Sequence, residues 1–155
     1  IYKTLKTFLG LIDCDRQNDG CNGGYIDNSL TYIKQFGTPT SSDYPYEAVQ
    51  GTCKANIRSY ASITSFVRAD KRRLEEHLLV SPIPTTMHAR PELQFYVSGV
   101  YDSDDCPNDL TKINHGVVVV GHYAGISTFF SISSKFYPEF EGKVVRGQSV
   151  DLIYR

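Results

Sequence analysis

Residues Cys14 to Tyr25 read CDRQNDGCNGGY, which is the most informative stretch of this sequence. It places two cysteines, three glycines and several turn-forming polar residues within twelve positions. Glycine permits positive φ angles and lets another backbone approach closely, so the composition favours an irregular loop over a regular helix or strand. The cysteines suggest that this loop is tied by disulfide bonds to other parts of the chain.

Further motifs follow in order along the chain. LIDC ends at Cys14, the loop continues as GCNGGY, and three later segments read DYPY at 43–46, YVSGVY at 96–101 and NHGVVVVG at 114–121. In this order the motifs resemble those of the papain family of cysteine peptidases. The resemblance extends from about residue 11 to residue 120 and covers most of the chain.

The resemblance implies an α+β fold of the papain-like, two-lobe cysteine peptidase type. Residues 1–155 would form a partial peptidase domain, with an incomplete helical left lobe at about 11–70 and a β-barrel-like right lobe at about 71–155. A peptide or protein substrate would bind in the groove between the lobes. The family's active-site cysteine segment would precede Cys14, and we expect it to lie outside this chain.

Composition narrows the possible partners. The chain has 155 residues, a formal net charge of −1 and a pI near 6.5, so neither nucleic acid nor an anionic membrane surface is expected as a partner. Its apolar runs are shorter than the roughly 20 residues of a membrane span. The length fits one domain. We expect no cofactor, and the sequence leaves the oligomeric state open.

The four cysteines permit three pairings if all are bonded, and the residues alone do not choose among them. The family resemblance implies a Cys14–Cys53 disulfide. It places the partner of Cys21 upstream of this chain, and the partner of Cys106 at the position that Asp151 occupies. Such half-cystines indicate an oxidised ancestor. The resemblance therefore implies a lysosomal or secreted origin, although the compartment of this protein stays undetermined.

Hydrophobic periodicity and turn residues predict the secondary structure. Ile26, Leu30, Ile33 and Phe36 share one helical face, so a helix is predicted near 26–36 and ends at Gly37. Helical turns within residues 1–9 that end at Gly10 are also expected, as is a helix near 71–79 capped by Asp70. Strands are predicted at 60–66, 83–87, 116–123, 127–133 and 143–146, and the 83–87 strand is placed at a sheet edge because of its prolines.

A thiol peptidase needs a cysteine nucleophile, a histidine base, a group that orients the histidine and oxyanion donors. By resemblance, His115 occupies the position of the general base. Ser134 stands in place of the orienting asparagine. None of the cysteines matches the nucleophile's motif, and a substitute such as Cys21 would need a helix N-terminus or a cation to lower its thiol pKa.

The substrate groove is also implied by resemblance. The backbone of Gly23 and Gly24 would pair with an extended peptide, which is a form of strand addition. The pocket for the second residue before the scissile bond would have walls at Tyr25 and Ile26 and a base at Thr86, and Asn114 would meet the peptide through its carbonyl. The alternative is that Gly23-Gly24 forms only a tight loop leading into a helix.

The remaining chemistry is limited. No cysteine or histidine spacing is typical of a metal site, so no metal is expected, and an acidic loop around Asp104 is interpreted as solvated. The sequence therefore predicts a papain-like cysteine peptidase domain that is inactive as this fragment. The alternatives are a non-catalytic papain-like protein that binds peptides, and a decayed remnant that does not fold stably.

Overall fold

In a computed structural model, the chain is described at residues 9–54, 56, 58–97, 100–101, 110–123, 126–130, 143–145 and 152–154. It divides into two compact units, Ile1–Phe66 (unit 1) and Val67–Arg155 (unit 2). The helices α1 and α2 lie in unit 1, whereas unit 2 is built around a β-sheet, which confirms the α+β class. The lobe boundary near residue 70 stays a prediction.

Unit 1 contains α1 at Leu9–Cys14, a 3₁₀ turn at Gly20–Asn22 and α2 at Ile26–Phe36. The predicted helix at 26–36 is therefore confirmed. Its end is set by Gly37, whose φ of 73° departs from helical geometry and whose N–H still donates to the carbonyl of Ile33 at 2.9 Å. Few residues other than glycine adopt this backbone conformation, which explains why the helix ends here.

The prediction that Gly10 ends a helix is wrong, because Gly10 is the second residue of α1. Residues 1–8, where the earlier turns were predicted, lie outside the described residues. A methyl group at Gly10 would lie 3.4 Å from the ring of Pro39 and 3.9 Å from Tyr44. A methyl group there would therefore make only ordinary van der Waals contacts with this segment, so Gly10 is tolerated inside α1 without being required by the packing.

A buried polar cluster organises the rest of unit 1. The carboxylate of Asp13 accepts hydrogen bonds from the Tyr44 hydroxyl at 2.6 Å and from the Gly51 N–H at 2.7 Å. The next residue along the chain, Cys14, forms a disulfide with Cys53, with an S–S distance of 2.01 Å. Two independent links thus tie α1 to the segment around residue 52.

In unit 2 the described strands form one sheet. Their order is β1-β7-β2-β4-β5-β6-β3, and all described pairings are antiparallel except the parallel pairing of β3 with β6. The strand bounds are Val67–Ala69 (β1), Ile83–Met87 (β2), Val100–Tyr101 (β3), His115–Tyr123 (β4), Ile126–Phe130 (β5), Lys143–Val145 (β6) and Leu152–Tyr154 (β7). The described part of this sheet is open, with β1 and β3 at its ends.

Most predicted strands are present, with two corrections. The strand predicted at 60–66 is wrong: it is replaced by a single bridge between Thr38 and Ala61, and β1 begins only at Val67. The strand β2 was predicted at an edge, yet it lies between β7 and β4. Its described pairing with β7 is limited to Thr85, so the neighbouring proline is not part of that register.

The segment before β2 begins as predicted at Asp70. The Asp70 carboxylate accepts a hydrogen bond from the Arg72 N–H at 2.9 Å, which caps a 3₁₀ turn at Lys71–Arg73. A short helix, α3 at Leu74–Leu78, follows directly. The predicted 71–79 helix is therefore a 3₁₀ turn continued by α3.

Strand alternation builds the core of unit 2. The buried residues of β2 and β4 lie at every second position, and the cluster consists of Ile83, Met87, Leu93, Val117 and Val119. Residues directly opposite each other in an antiparallel pair lie on one face of the sheet, so the β2–β4 register fixes this packing.

Candidate functional site

His115 is the first residue of β4 and pairs with Met87 of β2. Because side chains alternate along a strand, His115 lies on the same face of β4 as the buried Val117 and Val119. The imidazole is half-buried, and this burial lowers its pKa below the usual value of 6.5 because a charged ring is less well solvated there. Near neutral pH the ring is therefore predominantly neutral and able to accept a proton.

Asn114 fixes the backbone just before His115. Its side-chain oxygen accepts the Ala89 N–H at 2.7 Å, and its side-chain nitrogen donates to the Ala89 carbonyl at 3.0 Å. Its own N–H donates to the carbonyl of Met87 at 3.2 Å. These three bonds tie the residue just before β4 to Met87, the last residue of β2, and to Ala89 just beyond it. The sequence pattern gave Asn114 a role through its carbonyl and did not reveal this side-chain pairing.

A second histidine, His88, also links the end of β2 to the residues just before β4. Nδ1 of His88 lies 2.6 Å from the carbonyl oxygen of Lys112. Since a carbonyl oxygen only accepts hydrogen bonds, Nδ1 carries the proton in this contact. Through these contacts, His88 and Ala89 after β2 are joined to Lys112 and Asn114 before β4.

In unit 1, Gly23, Gly24 and Tyr25 form an exposed segment that we call the glycine edge. Gly23 has a φ of 120°, which favours glycine. Within the described part of the chain, neither the N–H nor the carbonyl of Gly24 has a hydrogen-bond partner. The Tyr25 side chain is 77% exposed. The glycine edge thus presents backbone groups that can pair with another extended chain.

One side chain, Asn18, holds the glycine edge. Its Oδ1 accepts the Tyr25 N–H at 2.8 Å, and its Nδ2 lies 3.3 Å from the Tyr25 carbonyl. The same Nδ2 lies 2.8 Å from Oδ2 of Asp15 and 2.9 Å from Oγ of Ser29. Sequence reasoning treated Asn18 only as a turn former, because its partners lie up to eleven positions away and follow no motif.

The remaining residues predicted to contribute to the substrate groove are Ile26 and Thr86. Ile26 is the first residue of α2 in unit 1, and Thr86 pairs with Gly116 in unit 2, beside the Met87–His115 pair. Both side chains are partly buried. Ser134, Cys106 and Asp151 lie outside the described residues.

Unit 1 also contains a cavity of about 260 Å³ beside the disulfide. Its lining includes Cys14, Tyr32, Phe36, Tyr44 and Lys54, and it does not include Gly23 or Gly24. This cavity is therefore distinct from the glycine edge.

The cysteines in the described residues fall into two states. Cys14 and Cys53 are joined in the disulfide, and Cys21 is a free, exposed thiol. Among the described residues, no three His, Cys, Asp or Glu side chains cluster in a way that could hold a metal ion. No helix in the described part is both long and apolar enough to span a membrane.

Comparison with known proteins identifies the family. Residues 9–132 match the family model described as papain family cysteine protease. Procathepsin L of Rattus norvegicus is 41% identical over 120 residues, a match that covers 72% of this chain and 35% of that protein. Cysteine proteinase 2 of Entamoeba histolytica is 35% identical over 118 residues, covering 72% of this chain and 38% of that protein. The match thus spans little more than a third of each relative.

Solved structures show the same fold. The digestive procathepsin L2 proteinase from Tenebrio molitor larval midgut has a TM-score of 0.84 at 21% identity and covers 99% of this chain and 53% of that one. The Carica candamarcensis cysteine protease CMS1MS2, solved in complex with E-64, has a TM-score of 0.81 at 22% identity and covers 97% and 76%.

The chain therefore belongs to the papain family of cysteine proteases. Within that family it is cathepsin L-like. The predicted papain-like fold class is confirmed, with the described strands of unit 2 forming an open sheet and not a closed barrel.

Proposed function

We propose that this chain supplies the histidine and a peptide-binding edge of a papain-family cysteine peptidase. The whole enzyme would hydrolyse peptide bonds through a cysteinyl thioester. The observation that carries this proposal is the support of His115, whose backbone is set by the β2–β4 register and by the reciprocal Asn114–Ala89 hydrogen bonds. Residues about 11–70 and 71–155 would be the two lobes.

In this proposal His115 acts first as a base and then as an acid. Burial keeps the pKa of the imidazole low, so the neutral ring can take the proton of a thiol near neutral pH. It would then donate that proton to the leaving amine. Ser134 would take the place of the asparagine that orients the imidazole, and its shorter side chain would make this support weaker.

The nucleophile must come from a cysteine whose thiolate is available. The sulfurs of Cys14 and Cys53 are already bonded to each other. Cys21 is exposed, and in the described part no cationic side chain is bonded to it. Cys106 matches a half-cystine of the family. We therefore propose that the 155-residue polypeptide by itself does not cleave peptides.

The glycine edge supports a second, compatible function, which is binding an extended peptide without cleaving it. Its exposed backbone includes a Gly24 N–H and carbonyl that have no partner in the described part of the chain. These groups could form two hydrogen bonds with one residue of a peptide, as in strand addition. The peptide would adopt an extended conformation along the edge.

Both proposals are tested on the purified 155-residue chain. A fluorogenic peptide measures turnover, and fluorescence anisotropy of a labelled extended peptide measures binding. We expect binding without turnover. Turnover that disappears in His115→Ala would refute the proposed inactivity and establish the histidine's catalytic role. Absence of both binding and a cooperative thermal transition would favour the decayed remnant.

A further inference from the structure

We propose that Asn18 is the positioning residue for the glycine edge, and that its side-chain amide holds the Gly24 backbone ready to pair with a peptide. This inference rests on the proposed peptide-binding function of Gly24. It assigns to Asn18 an indirect role, since the amide bonds to Tyr25 and lies against Gly24 without itself binding the peptide.

The hydrogen bonds of Asn18 select which backbone groups stay available. Its Oδ1 takes up the Tyr25 N–H at 2.8 Å, and its Nδ2 approaches the Tyr25 carbonyl at 3.3 Å. The backbone of residue 25 is thereby satisfied from within unit 1. The adjacent N–H and carbonyl of Gly24 have no such partner in the described part of the chain.

The amide is itself held from other directions. Asp15, which is only 4% exposed, accepts from Nδ2 of Asn18 at 2.8 Å, and the hydroxyl of Ser29 lies 2.9 Å from the same nitrogen. Nδ2 of Asn28 lies 3.2 Å from Oδ1 of Asn18. Asp15 follows the disulfide cysteine of α1, while Asn28 and Ser29 belong to α2. Asn18 thus links the glycine edge to α2 and to the residue that directly follows α1.

Gly24 and Asn18 also fit each other sterically. A methyl group at position 24 would overlap the side-chain amide of Asn18, so the absence of a side chain at Gly24 allows the amide to lie directly against the backbone. Close packing and hydrogen bonding therefore act on the same segment. A loss of Asn18 would leave Gly24, which has glycine's wide conformational freedom, without this restraint.

The test compares Asn18→Ala with Gln17→Ala in the 155-residue chain. Gln17 is a matched control because it carries a similar amide one residue away, is exposed, and makes no side-chain hydrogen bond among the described residues. Asn18→Ala removes a hydrogen bond that orders the binding segment, so the Kd of the labelled extended peptide should rise about tenfold. Gln17→Ala should leave the Kd unchanged.

A modified peptide separates positioning from general loosening of the fold. Methylation of one central peptide nitrogen removes a donor that can pair with the Gly24 carbonyl, and methylation of the last peptide nitrogen serves as the ligand control. The central methyl group should cost roughly tenfold in affinity with the wild-type chain and clearly less with Asn18→Ala, since the paired geometry is already lost. An equal cost in both proteins would overturn the proposal.

Amide hydrogen exchange of the free protein distinguishes failure of this inference from failure of the proposed function. If the wild-type chain binds no peptide, the binding function is wrong, and the exchange rate of the Tyr25 N–H still tests Asn18. Faster exchange in Asn18→Ala than in Gln17→Ala would support its hold on the glycine edge. Equal exchange in the two variants would overturn it.

Discussion

The Tyr44 hydroxyl donates a 2.6 Å hydrogen bond to Oδ2 of Asp13, and both residues are almost completely buried. The other carboxylate oxygen accepts the Gly51 N–H at 2.7 Å. Both oxygens of a buried carboxylate are therefore occupied. Burial, followed by the bond to Asp13, raises the pKa of Tyr44 above its usual value of 10.0, which favours the protonated hydroxyl that this contact needs.

Tyr44→Phe should lower the free energy of unfolding by about 2 kcal/mol, because it leaves one oxygen of the buried Asp13 without its donor. Urea unfolding monitored by circular dichroism measures this change. Tyr46→Phe is the matched control, since Tyr46 is 51% exposed, and it should change stability by less than about 0.5 kcal/mol. Equal effects of the two substitutions would contradict the importance of the Tyr44–Asp13 bond.

The burial of His115 predicts a pH dependence of stability. Its folded-state pKa lies below 6.5, so the unfolded chain binds a proton first as the pH falls. The stability contributed by the neutral ring is present above pH 6.5 and is lost as the pH falls toward the folded-state pKa.

Urea unfolding across this range should therefore show a steeper loss of stability for the wild type than for His115→Gln. An imidazole titration followed by NMR should have its midpoint below 6.5 for His115. A wild-type-minus-variant difference that stays constant with pH would refute this prediction.

The Cys14–Cys53 disulfide should contribute strongly to folding. It joins residues 39 positions apart, and a loop of that length corresponds to about 4 kcal/mol in the chain-entropy model. The double variant Cys14→Ser, Cys53→Ser should therefore have a markedly lower Tm by calorimetry.

Cys21→Ser is the control for this measurement, because it removes an exposed free thiol and should leave Tm nearly unchanged. Mass-spectrometric mapping of the oxidised protein checks the pairing directly. A peptide that links Cys14 to Cys21 or Cys106 would contradict it.

Gly37→Ala should destabilise the protein by about 1–3 kcal/mol, because Gly37 combines a φ of 73° with a ψ of −166°, a region that only glycine adopts readily. The added methyl group would also overlap Ser59 and lie 2.8 Å from the Ala61 carbonyl. Gly10→Ala is the contrast, since Gly10 lies within α1 and its nearest contact to an added methyl group is 3.4 Å away. Thermal unfolding of the two variants should rank Gly37→Ala as clearly less stable.

Local sequence patterns correctly predicted the helices and strands whose formation is signalled by their own residues. The helix at 26–36 combines one apolar face with a glycine stop, and β4 is a run of β-branched residues, so both were found. The 60–66 strand failed because an alternating pattern does not supply a partner strand, and only Ala61 forms a bridge there. Gly10 misled the prediction because glycine is common where helices end, whereas here it lies inside α1 and an added methyl group would make only ordinary contact with Pro39.

The candidate functional residues also fall into those that the sequence predicted and those that only the structure revealed. His115 and Gly24 stand in motifs, and a motif places them without any knowledge of the fold. Asn18 and the pairing of Asn114 with Ala89 depend on contacts between residues 7 to 25 positions apart, and many sequences could make such contacts. Sequence reasoning therefore found residues proposed to perform chemistry and missed side chains that hold the backbone around them.

The strand register that places His115 opposite Met87 also determines which residues are buried in the core, because Val117 and Val119 lie on the same face of β4 as His115. A slip of one residue would turn all three side chains to the other face together. Natural selection for a stable sheet therefore keeps position 115 on this face of the sheet even where proteolysis is no longer selected. A gene duplicate that abandons catalysis would keep this position on the same face as a by-product of folding, whichever residue came to occupy it.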